Sequence, residues 1–318
     1  MRKLLVLILI SIALMTMAQQ CDGGNTPPEP PTNPYQGGTS GLSIQFAEGA
    51  PPDEVFDGNT YPFDIELKLL NVGESEVAKE DVKIRISGIN PLDFGKTESD
   101  FIMTGIQEDL IPTIVDSEGN KIPAPPVFVT FPDLMYEDLL PGNNQFPVRA
   151  DVCYTYETNA IADGCIRADV LSIDEDAVCQ INEKKVVFNS GAPIQVAEFT
   201  EQPSGSDKIR YVFKIQHIGS GRVFLPNTRC PSDLASVRTS ENRVHFKIES
   251  RVQDLVCSGL KGGSGKEGDV YLINGEATLH CTQQTSSSLD YIDKLHITLT
   301  YDYKEFVEKY LLVKKTVN

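Results

Sequence analysis

Phe63, Ile65, Leu67 and Leu69 occupy every second position, with Asp64, Glu66 and Lys68 between them. A period of two puts alternate side chains on opposite faces of an extended chain, so this segment is a strand with one buried and one wet face. Val82, Ile84 and Ile86 repeat the pattern. No long stretch shows the 3.6-residue period of an amphipathic helix. Shorter apolar runs at 42–46, 127–131, 148–156, 161–170 and 185–188 supply further strands, punctuated by 20 prolines and 24 glycines. The chain is therefore all-β. Pro123, Pro125, Pro126, Pro132, Pro141 and Pro147 keep their surroundings irregular. One short helix is expected, over Asp133–Leu140, and residues 88–145 otherwise match no recognisable pattern.

The strand pattern occurs twice. At a spacing of 146 residues, Ile65, Leu67, Leu69, Asn71, Gly73 and Val77 fall on Tyr211, Phe213, Ile215, His217, Gly219 and Val223 without gaps. Val82, Ile84 and Ile86 correspond to Val244, Phe246 and Ile248 at a different spacing. This is an internal repeat of one sandwich unit. The expected organisation is a signal peptide (1–18), a disordered Pro/Gly stalk (19–41), an acidic β-sandwich (42–190) and a second β-sandwich (191–318).

The N-terminus carries the address. Arg2 and Lys3 precede an apolar run of 14 residues, Leu4–Met17, and Thr16-Met17-Ala18 suits a signal peptidase. The run is shorter than the roughly 20 residues of a membrane span. Asp22–Gly41 follows with five prolines, five glycines and no aliphatic residue, which reads as an extended spacer. Cys21 lies in that spacer. It is either a lipid anchor or, after cleavage behind Ala18, a free or intermolecular thiol; Gln20 departs from the small residue of a lipobox.

The other six cysteines of an exported chain read as a disulfide framework. Cys153 and Cys165 fall opposite each other if two strands form a hairpin centred on Asn159. Cys257 closes one strand and Cys281 sits on the apolar parity of the next, which suggests a bridge inside the second sandwich. Elimination then pairs Cys179 with Cys230 as a staple between sandwiches. No C-x2-C pair exists for a metal.

Charge is segregated. Residues 42–190 hold 28 acidic and 10 basic side chains, a net of −18, whereas residues 191–318 hold 15 and 16, a net of +1. So acidic a half disfavours nucleic acid as a partner. Asp174-Glu175-Asp176, with Asp163 and Asp169, could offer calcium hard oxygens, but no D-x-D-x-D-G loop is present and a solvated acidic loop is the simpler reading. His217, His245, His280 and His296 all lie in the second half. Three of them alternate with buried positions and read as surface residues rather than zinc ligands. Lys261–Lys266 is rich in glycine, yet Leu260 stands where a phosphate loop needs its first glycine and Glu267 where it needs Ser or Thr. There is no G-x-S-x-G elbow, no histidine before residue 191 and no N-x-S/T sequon.

With its leader, its stalk, the phrase Ile65-Glu-Leu-Lys-Leu-Leu-Asn-Val-Gly73, and the strands Gly191–Val196 and Ile297–Tyr303, the chain resembles archaeal cell-surface proteins with tandem immunoglobulin-like domains of the S-layer-associated and adhesion-related type. The resemblance implies two tandem immunoglobulin-like antiparallel β-sandwiches and a structural or interaction role, with no active-site residues carried over. The expected protein is non-catalytic, without metal or cofactor, on the outer face of a membrane held through its N-terminus, and contacting surface proteins or polysaccharide. An accessory or solute-binding surface lipoprotein is the first alternative and an extracellular hydrolase the second.

Overall fold

Two strands are far longer than the rest, Asn144–Ile166 with 23 residues and Tyr291–Lys314 with 24. The first stays extended because its period-two pattern passes through Asn159 unbroken, from Val148, Ala150 and Val152 to Ala160 and Ala162, with no turn residue pair to reverse it. The computed structural model describes residues 33–116, 120–172, 174, 176–251, 254–285 and 288–316.

In chain order the strands are β1 (Leu42–Phe46), β2 (Glu54–Phe56), β3 (Phe63–Asn71), β4 (Lys83–Ser87), β5 (Ile102–Thr104), β6 (Ile114–Val115), β7 (Lys121–Ile122), β8 (Val127–Leu134) and β9 (Asn144–Ile166). They continue as β10 (Lys184–Lys185), β11 (Val187–Asn189), β12 (Ile194–Pro203), β13 (Lys208–His217), β14 (Arg222–Phe224), β15 (Arg243–Glu249), β16 (Leu255–Ser258), β17 (Lys261–Ser264), β18 (Glu267–Tyr271), β19 (Glu276–Gln284) and β20 (Tyr291–Lys314). A short helix, α1 (Leu234–Ser240), starts at Asp233, whose side chain accepts the Ser236 N–H.

β9 and β20 pair antiparallel along the whole of β9, from Asn144↔Val313 to Ile166↔Tyr291. They form the spine of a ten-stranded sheet whose main path is β17-β18-β15-β20-β9-β4-β5, with β11 added on β9 and β14 and β2 on β20. The N-terminal half of β9 and the C-terminal half of β20 back the three-stranded sheet β1-β3-β8, and the complementary halves back the sheet β10-β12-β13-β19-β16. The fold is thus an all-β pair of sandwiches that share two strands. Its two units correspond strand for strand. β4 pairs with β9 in the register Lys83↔Cys153 to Ser87↔Arg149, and β15 pairs with β20 as His245↔Thr300 to Glu249↔His296. Leu67↔Val129 in β3–β8 likewise matches Phe213↔Leu279 in β13–β19.

The repeated glycines now have a cause. At the crossing of the halves Tyr156 lies opposite Tyr301, and Tyr154 opposite Tyr303. The Tyr156 hydroxyl accepts the Ser75 N–H (3.2 Å) and donates to the Gly191 carbonyl (3.1 Å). The Tyr303 hydroxyl accepts the Gly221 N–H (2.7 Å). Gly73 and Gly219 press against these two phenols, and a Cβ on either would overlap a tyrosine hydroxyl. Burial pushes all four phenols up, Tyr156 to about 12, so they remain protonated. Gly73→Ala and Gly219→Ala are each expected to lower stability by about 2 kcal/mol, read by urea denaturation, because the first would force Tyr156 and the second Tyr303 off its rotamer. Loss of stability at one site only would contradict the equivalence of the halves.

Several expectations are corrected. Tyr35–Asn318 is one compact unit, so a boundary at residue 190 does not separate tandem domains; residues 304–314 of β20 complete the first sandwich. The stalk does not extend to residue 41. The Gln36 and Gly37 N–H groups donate to Glu74, which also accepts the Gly191 N–H at 2.7 Å, and β1 opens at Leu42. Asp133–Leu140 is not helical, because β8 continues to Leu134 across a left-handed residue at Asp133 (φ 57°). The signal peptide, Cys21 and most of the stalk lie outside the described residues, as does Glu175.

The disulfides are Cys153–Cys230, Cys165–Cys179 and Cys257–Cys281. The last agrees with the sequence reading. Cys153–Cys165 and Cys179–Cys230 do not form, since no hairpin exists at Asn159. Twelve residues apart on one straight strand, Cys153 and Cys165 are separated by roughly 40 Å. Alternation along β9 puts Cys153 on the face away from Val152 and Tyr154. That face is covered by Phe224, Cys230 and Val237, a small second core.

Candidate functional site: a cationic pocket at the crossing of the halves

β4, β5, β9 and β20 present their outer faces to the segment 227–232, and a cavity of about 120 Å³ opens between them. Its walls include Lys83 and Arg85 from β4, Asp151 from β9, Lys304 from β20, and Arg229 beside the Cys153–Cys230 disulfide. Alternation places these side chains. Lys83 and Arg85 lie between the buried Val82, Ile84 and Ile86, and Asp151 and Cys153 between the buried Ala150, Val152 and Tyr154.

Arg229 is delivered by a built loop. Asn227, Arg229 and Cys230 all have left-handed backbones (φ 64°, 54° and 46°), which side-chain-bearing residues adopt only under constraint. The constraint is Asp302, 1 % exposed in the middle of β20. Its carboxylate accepts the N–H groups of Asn227 (3.1 Å) and Arg229 (2.6 Å) and the hydroxyls of Thr228 (3.2 Å) and Thr155 (2.8 Å). The disulfide ties the far end of the same loop to β9.

One carboxylate faces four cations. Asp151 accepts from Arg149 (2.9 Å) and Ser87 (3.1 Å) and lies 3.4 Å from Lys304. Burial alone would raise its carboxyl, but Arg149, Lys304 and Ser87 outweigh that and hold it below the ordinary value, so it is ionised and already partnered. Arg85 reaches Glu98 at 3.5 Å on the exposed side. Among the described residues no carboxylate lies within ion-pair distance of Lys83 or Arg229. At the margin, burial, Glu80 and Asp302 raise the Asp81 carboxyl, with Arg229 pulling the other way. The pocket therefore offers unspent positive charge next to apolar Ile102 and a disulfide, chemistry that suits a carboxylate, sulfate or phosphate group.

The residues singled out by motif do not assemble into a site. His280 and His296 are exposed on separate strands. His245 bridges Asp269 (2.8 Å) and Glu267 (3.1 Å), which raise its pKa against the opposing effect of burial. His217 sits against the Tyr303 hydroxyl at 3.0 Å, and burial lowers its pKa. Asp163 pairs with Lys294, while Asp169 and Asp174 accept from the N–H groups of Leu171 and Asp176. Among the described residues no three His, Cys, Asp or Glu side chains converge. Lys261–Ser264 is a paired strand, β17, rather than an open loop. The cationic pocket was missed because Lys83 and Arg229 are far apart in sequence and each is ordinary alone. The only local signal was a run of turn-forming residues, Asn227 to Cys230, ending in a cysteine.

No known family matches the sequence, and neither does any curated protein. A solved structure of the partial N-terminal region of an enterococcal surface protein is similar at 11 % identity, covering 93 % of this chain and 98 % of that one, with a TM-score of 0.16. A TM-score at that level transfers neither fold nor role.

Proposed function

We propose that this chain is an exported, non-catalytic interaction module of the cell surface that engages an acidic polysaccharide through the pocket beside Cys153–Cys230. The observation that carries this reading is the convergence of Lys83, Arg85, Arg229 and Lys304 on a face that otherwise belongs to the strongly acidic half. Three disulfides fit an oxidising, extracellular setting. The leader and Cys21 supply export and a candidate membrane tether, as in the archaeal S-layer-associated and adhesion-related proteins that the sequence resembles.

The pocket admits one anionic group at a time, which also suits an accessory lipoprotein that captures a small acidic solute. The two readings separate experimentally. Full-length protein is expected to bind a uronate- or sulfate-bearing polysaccharide, to ignore a neutral one, and to weaken with added salt. Lys83→Gln and Arg229→Gln should each cost about tenfold in affinity, the scale of one charge-assisted hydrogen bond. Binding of the free acidic monosaccharide but not the polymer would favour the solute-binding reading. Equal binding to the neutral polysaccharide, or no effect of either substitution, would remove the pocket from the function.

A further inference from the structure

The duplication supplies an internal control for the interior of the second sandwich. In the first sandwich, Phe63 pairs with Leu134 and Ile65 with Phe131, and Phe146 projects from β9. That end is closed by rings: Phe94 lies 6.1 Å from Phe63, 5.7 Å from Phe146 and 5.2 Å from Tyr136. The matching positions of the second sandwich are Ile209↔Gln283, Tyr211↔Cys281 and Asp293. Three apolar side chains, Ile65, Leu134 and Phe146, are thus replaced by Tyr211, Gln283 and Asp293. Glu201, paired with Tyr211 across β12–β13, joins them.

These four side chains are at most 1 % exposed, yet five of their polar atoms lack a hydrogen-bond partner: Glu201 Oε2, Tyr211 OH, Gln283 Oε1 and Nε2, and Asp293 Oδ1. The remaining carboxylate oxygens are engaged, Glu201 Oε1 by the Cys165 N–H (2.7 Å) and Asp293 Oδ2 by the Ser250 hydroxyl (2.6 Å). Burial pushes the Glu201 carboxyl up to about 8, against the pull of Lys185 Nζ 3.5 Å from Oε2, and among the described residues no cation pairs with Asp293. Burial, then Glu201 and Asp293, push the Tyr211 phenol up, so it lies in the field of both carboxylates. A buried polar atom left unpaired costs about 1–3 kcal/mol, so the four that lack even an ion-pair partner would consume much of a domain's ordinary stability. Carboxyl and carboxamide oxygens such as those of Asp293, Glu201 and Gln283 are donors that a hard cation takes, and the Tyr211 hydroxyl adds a neutral oxygen beside them.

We propose that this end of the second sandwich is an internal site for a calcium-class cation, held by Asp293, Glu201, Gln283 and the Tyr211 oxygen. The first sandwich closes the same end with phenylalanines and needs no ion. Terbium is a direct probe, because the chain contains no tryptophan and tyrosine is its sensitiser. Chelator-treated full-length protein should show tyrosine-sensitised terbium luminescence that calcium displaces. Calcium at about 100-fold above its Kd should raise Tm by roughly 5 °C. Asp293→Asn should weaken terbium and calcium binding at least tenfold, whereas Asp174→Asn in the exposed acidic loop should not. Should Asp293→Asn fail to fold, the combined Tyr211→Ile, Gln283→Leu and Asp293→Phe variant, which copies the first sandwich, should fold without calcium and lose the calcium response. Wild-type protein without sensitised luminescence or a calcium shift, or a combined variant that keeps both, would overturn the proposal and assign the five atoms to internal water.

Discussion

A fragment ending at Ser190 and beginning at Tyr35 is expected to show no cooperative unfolding transition, although it contains every residue of the acidic half. In the intact chain the end of β20 lies between β9 and β2, and Leu311 and Val313 are fully buried in the first sandwich. Removing β20 strips one edge of β9 of its ladder and takes two large side chains from that core. Losing one such side chain to a cavity costs about 2–5 kcal/mol, and a domain holds only about 5–15 kcal/mol in total. The full chain should therefore unfold in one transition by calorimetry and circular dichroism, and the fragment in none. Adding a peptide spanning Tyr291–Lys314 should restore structure to the fragment. A fragment that melts cooperatively by itself would show that the shared strands are dispensable.

Replacing both members of Cys153–Cys230 with alanine is expected to lower stability by about 4 kcal/mol, or roughly 8 °C in Tm. This bridge closes the longest loop of the three, spanning 77 residues against 24 for Cys257–Cys281 and 14 for Cys165–Cys179. Longer loops regain more entropy in the unfolded chain. The bridge also holds Cys230 in its left-handed conformation and Arg229 over the pocket, so anion affinity should fall together with stability. Removing Cys165–Cys179 should cost less and leave affinity unchanged, because that loop hangs from the C-terminal end of β9, 12 residues beyond Cys153 and away from the pocket. Thermal melts and binding isotherms on the two variants check both statements. An intact affinity after loss of Cys153–Cys230 would mean that Asp302 alone positions Arg229.

Much of the architecture was legible from spacing. The alternations at 63–69, 82–86 and 209–217 are strands with the predicted inward faces, and the 146-residue repeat marks a true structural duplication down to Gly73 and Gly219. The hairpin at Asn159 was not legible as false. A hairpin and an uninterrupted strand share the same period, and only the partner strand distinguishes them. The cysteine pairing failed for the same reason, since it was built on that hairpin. The pocket was hidden because net charge by segment concealed what the crossing strand would do. Arg229 and Lys304 come from the nearly neutral half, yet they stand beside Lys83 and Arg85. The buried polar end of the second sandwich gave no motif, because Glu201, Tyr211, Gln283 and Asp293 meet across strands and never in sequence.

The amino-acid sequence by itself determined the all-β class, the face each strand buries and the existence of two equivalent units. Those properties follow from local backbone geometry, in which alternate side chains must point to opposite sides of an extended chain. The tertiary structure alone decided which unit each half of β9 and β20 serves, which cysteines meet, and which charges gather at the crossing. Long-range register sets all three, and register depends on a partner strand that can lie more than a hundred residues away.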